Sequence, residues 1–71
     1  MTKEKFINEL QKHDIDPLLV CWEESVCDDV FCIWKNDNKW IVYYQERGKK
    51  YDEMQFETES DALEYLLCRM I

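Results

Sequence analysis

The stretch Lys39-Trp40-Ile41-Val42-Tyr43-Tyr44-Gln45-Glu46-Arg47-Gly48 is the most β-like run in the chain. Its five consecutive β-branched or aromatic residues, Trp40 through Tyr44, are the types that fit a pleated surface. Side chains alternate along a strand, so Trp40, Val42 and Tyr44 share one face while Ile41 and Tyr43 share the other. Both faces are apolar. The run therefore reads as a central strand, with a helix layer on one side and a second face to cover or bind. Gly48, the only glycine among 71 residues, follows where a turn needs positive φ.

Working outward, residues 30–34 read as a second strand, and Asn36-Asp37-Asn38 carries turn residues, so the two strands are expected to form a hairpin. After Gly48, Lys49 and Lys50 mark an exposed turn. Residues 51–56 then alternate weakly, with Met54 and Phe56 on one face, as in an edge strand guarded by charge. Upstream, residues 18–22 form a short apolar run that fits a strand, although its length also allows a helical turn. Residues 23–29 form an acidic loop.

The flanks are helical. Over residues 2–13, Thr2 can cap, Phe6, Ile7 and Leu10 share a face, and Lys5 and Glu9 stand at i,i+4. Asp14 through Pro17 break that helix, since the residue before proline is pushed out of the α region. Over residues 58–70, Thr58 can cap, Asp61 occupies the third helical position, and Ala62, Leu63, Leu66, Leu67 and Met70 form the apolar stripe. The predicted fold is α+β: an N-terminal helix, a three- to four-stranded antiparallel β-meander and a C-terminal helix. Both helices pack on one face of the sheet, and residues 1–71 form a single domain.

A chain of 71 residues buries about 60% of its unfolded surface, which sets a low ceiling on stability. A hydrophobic content of 46%, with 14% aromatic, still supports one compact core. No run approaches the roughly 20 apolar residues of a membrane span. The beginning, Met1-Thr2-Lys3-Glu4-Lys5-Phe6, leads into a charged amphipathic pattern without an apolar signal core, so a cytoplasmic protein is expected.

Chemistry-bearing groups are sparse. Cys21, Cys27 and Cys32 are spaced by six and five residues, and the single histidine, His13, is remote, so zinc ligation is not expected. Without a secretion signal the four cysteines, Cys68 included, are expected to be free thiols, mostly core residues. His13 ends a helix, where it suits the last carbonyls better than a base's role. One glycine leaves no Gly-rich phosphate loop. No enzyme and no cofactor are expected.

Sixteen acids against nine bases give a net charge of −7, which disfavours direct nucleic-acid binding, a process that depends on cationic side chains displacing counterions. The helix-strand-helix order would suit a dsRNA-binding domain, but the charge does not. The acids are grouped: Glu23, Glu24, Asp28 and Asp29 in one cluster, Asp52, Glu53, Glu57, Glu59, Asp61 and Glu64 in another. A basic protein partner is the natural complement, and solubility is the plainer alternative. Trp22, Trp34, Trp40, Tyr43, Tyr44 and Tyr51 exceed what a small one-sided core must hold. Trp40 and Val42 are expected in the core, with Tyr43 nearer the open face.

The pattern Trp40-x-Val42-Tyr43-Tyr44-x-Glu46-Arg47-Gly48, followed by Phe56-x-Thr58-Glu59-x-Asp61-Ala62 and Tyr65-Leu66-Leu67, resembles a family of small bacterial immunity proteins. The resemblance covers about the last half of the chain and, more loosely, the first helix. It implies a stoichiometric inhibitor that binds and neutralises the toxic domain of a polymorphic toxin. From the acids and aromatics, the candidate contacts are Trp22, Glu23, Glu24, Asp28 and Asp29 as one patch. Tyr43, Tyr44, Glu46 and Arg47 would form a second. The loop at residues 23–29 lacks the glycines of similar sequences, so a binding role there would be specific to this member. Each shared residue also has an ordinary local role, with Gly48 in a turn, Arg47 beside Glu46 or Glu59, and residues 58–62 at a helix start. The alternative is a small self-associating module whose open sheet face pairs with another copy, so both monomer and homodimer are open.

Overall fold

The computed structural model describes residues 1–23 and 28–71. The first helix, α1 (Lys3–Lys12), starts where the Thr2 hydroxyl accepts the Lys5 N–H at 3.2 Å and stops where the His13 N–H reaches the Glu9 and Leu10 carbonyls. The sheet follows as β1 (Val20–Cys21), β2 (Val30–Asn36), β3 (Lys39–Glu46) and β4 (Lys49–Phe56), in that spatial order. Last comes α2 (Glu59–Met70), begun by the Thr58 hydroxyl accepting the Asp61 N–H at 3.2 Å. The α+β architecture is the one predicted, and among the described residues no helix is long and apolar enough to cross a membrane.

Three details differ from the sequence reading. β1 runs parallel to β2, pairing Val20 with Phe31 and Cys21 with Cys32, so the sheet is mixed. Alternation of side chains carries no strand direction, so the sequence could not separate the two cases. Leu18 and Leu19 do not extend that strand. Pro17 presets the backbone for a 3₁₀ turn over Pro17–Leu19, the Asp16 carboxylate accepts the Leu18 N–H at 2.9 Å, and both leucines are left exposed. Finally, the turn after β3 is Arg47-Gly48 rather than Lys49-Lys50, since Glu46 pairs directly with Lys49.

Both residues of that turn have positive φ, 52° at Arg47 and 75° at Gly48. Such a pair matches the twist of a two-residue hairpin, and Gly48 is the residue type it favours. The β2–β3 hairpin also closes through a two-residue turn, Asp37-Asn38, in which only Asp37 has positive φ, at 57°. Further along, Val42 pairs with Met54 and Tyr44 with Tyr51, so Asp52 and Glu53 together face Tyr43 in a β-bulge. Asp52, at φ 53°, supplies the left-handed residue.

The main core lies between the helices and the sheet face that carries Val20, Ile33 and Val42. Phe6 and Leu10 of α1 and Ala62, Leu63 and Leu66 of α2 close on it, all buried. Trp40 and Phe56 pack half-buried at its margin. The helices therefore cover the face shared by Trp40, Val42 and Tyr44. The opposite face is not open. Cys32, Ile41 and Tyr43 form a second buried cluster there, flanked by Cys21, Val30 and Trp34. Tyr43 thus stands on the expected side, yet it is only 1% exposed.

Candidate protein-binding site

Asp28 and Asp29 lie twenty residues from the β3–β4 turn in sequence but meet it in space. The Gly48 N–H donates to the Asp28 carboxylate at 2.9 Å, and the Asp29 N–H donates to the Gln45 carbonyl at 2.7 Å. Asp29 enters β2 with φ 60°, a left-handed conformation that Asp tolerates better than most residues. The contacts draw part of each predicted patch into one corner, where Asp28, Asp29, Tyr44, Glu46 and Arg47 are neighbours. Both aspartates and Arg47 are exposed; Tyr44 and Glu46 are half-buried.

Tyr44 reports the field of this corner. Partial desolvation first, then the carboxylates of Asp29 and Glu46, hold its phenol above the ordinary tyrosine range. Its ring meets Phe31 edge-on, with centroids 4.8 Å apart, and Tyr51 stands opposite it in the ladder. Tyr51 is 44% exposed. The row Phe31, Tyr44, Tyr51 is thus a strip of aromatic surface with carboxylates at its end, the composition that suits a binding anchor.

The remaining predicted contacts go elsewhere. Trp22 joins the helix-side core: the Phe6 ring meets it edge-on at 5.8 Å, and the Lys3 ammonium sits 4.3 Å over it. Glu23 is exposed beside it. Glu24 lies outside the described residues, as does Cys27. Tyr43 is buried under the second face, with the Lys50 ammonium 4.8 Å from its ring centroid, and so presents no surface to a partner. Cys21 and Cys68 are free thiols, Cys32 is buried, and Cys68 is exposed rather than part of the core. Among the described residues no three His, Cys, Asp or Glu side chains gather as metal ligands would.

Sequence reasoning missed Phe31 and Arg69, and it named Asp52 only within an acidic group and Tyr65 only within the family pattern. Arg69, in the last turn of α2, donates to the Asp52 carboxylate at 2.6 Å and ties the helix end to the bulge. Both partners are about half exposed, so the pair contributes at most about 1 kcal/mol. The signal for Phe31 was its parity with Ile33; the bulge that places Asp52 has no comparable signal. No protein-family model, curated protein or solved structure matches this chain.

Proposed function

We propose that this chain is a non-enzymatic immunity protein, which binds a basic toxin domain and neutralises it by covering its working surface. The observation that carries the reading is the convergence of Asp28 and Asp29 on the Tyr44–Gly48 segment. Acids at such a surface speed association and select a basic partner, while half-buried aromatics supply the area that holds it. A nuclease fits the complementary charge best, since a surface built for phosphates is basic.

Self-association through an open sheet face has less support, because Cys32, Ile41 and Tyr43 are already buried within one chain. The test is co-expression of candidate basic toxin domains, with and without this protein. Rescue of growth and a co-purifying complex support the reading. Toxicity that persists counts against it.

A further inference from the structure

The helix side of the sheet is uncovered at one end, and a small cleft opens there. α2 has twelve residues and spans about 18 Å. β3 has eight and spans about 26 Å. Near the last turn of α2 the cleft is lined by the rings of Phe31, Tyr44 and Tyr65, by Val42, and by the paired Asp52 and Arg69. The bulge at Asp52-Glu53 bends β4 at the same level. The free volume is about 10 Å³, room for one water-sized group.

The surroundings favour a cation. Aromatic walls attract positive charge through their ring quadrupoles. The carbonyl end of a helix carries partial negative charge, and the cleft adjoins the final turn of α2. The carboxylates of Asp29 and Glu46 lie close enough to raise the Tyr44 phenol. Arg69, which also lines the cleft, is neutralised there by its pair with Asp52.

We propose that this cleft receives a lysine side chain of the partner, its ammonium seated among the rings of Phe31, Tyr44 and Tyr65 within reach of Asp29 and Glu46. The inference rests on the partner-binding reading above. Lysine is preferred to arginine because an ammonium is compact, whereas a guanidinium is a wide planar fork.

The experiment titrates Nα-acetyl-lysine methylamide, and its arginine and norleucine counterparts, into isotope-labelled protein and follows NMR shifts. The lysine compound is expected to move the signals of Phe31, Tyr44 and Tyr65 saturably, with a half-saturation point about threefold or more below those of the other two. The Asp29→Asn/Glu46→Gln double variant should weaken binding by about threefold or more, while Glu4→Gln on α1 should not change it. Shifts that spread over the acidic surface without saturating, or equal binding of arginine or norleucine, would overturn the proposal. Growth rescue separates the two readings: rescue without lysine binding removes the cleft alone, and lysine binding without rescue removes the toxin partner alone.

Discussion

At the scale of single residues, the turn Arg47-Gly48 carries the most definite expectations. Gly48 has positive φ, and a Cβ there would meet nothing within 4 Å, so Gly48→Ala tests backbone conformation without a clash. The left-handed region costs an ordinary residue roughly 1–2 kcal/mol, and urea unfolding should show a loss of about 1 kcal/mol. Arg47 already bears part of that cost at φ 52°. Arg47→Asn is therefore expected to raise stability by about 0.5 kcal/mol in the same assay, because Asn tolerates αL. A second expectation concerns Tyr44. Its phenol is raised in the folded state, so the unfolded chain ionises first; the associated stability is complete below about pH 10 and is lost as pH climbs through the folded value. Asp29→Asn and Glu46→Gln should each bring the Tyr44 titration down toward the ordinary value, read by the ultraviolet absorbance of tyrosinate.

At the scale of elements, the caps and stripes do the positioning. Thr58 accepts the Asp61 N–H, so Thr58→Ala should cost about 1 kcal/mol. Leu66 is fully buried where α2 meets the sheet, and Leu66→Ala should cost about 2–5 kcal/mol, a large share of what a domain of this size possesses. Thermal and urea unfolding check both. These elements were legible because their signals are local: Thr2 and Thr58 as caps, Ala62, Leu63 and Leu66 at helical spacing, Asp37 and Gly48 in turns. The direction of β1 was not legible, since Val20 and Cys21 read alike in either sense. Nor was the bulge at Asp52, where an ordinary acidic residue takes the left-handed position. Tyr43 shows a third limit: alternation assigns a face, but it does not say what buries that face.

At the scale of the whole molecule, the chain carries a net charge of −7, and the fold brings Asp28, Asp29 and Glu46 of that charge to one corner. The candidate site was half legible. Asp28, Asp29, Tyr44, Glu46 and Arg47 were all named from sequence, but as two patches, because a contact between Asp28 and Gly48 spans twenty positions. Trp22 was read as surface and serves the core, since an aromatic next to acids looks the same in either role. If the corner steers association, binding of a basic partner should weaken as salt rises, and the Asp28→Asn/Asp29→Asn double variant should flatten that dependence. The most direct measurement is growth rescue from a candidate basic toxin domain by the wild-type chain and by an Asp29→Lys/Glu46→Lys variant shown to be folded. Rescue by the wild type and none by the variant is the expected result; rescue by both, or by neither, would contradict an acidic corner that holds the toxin.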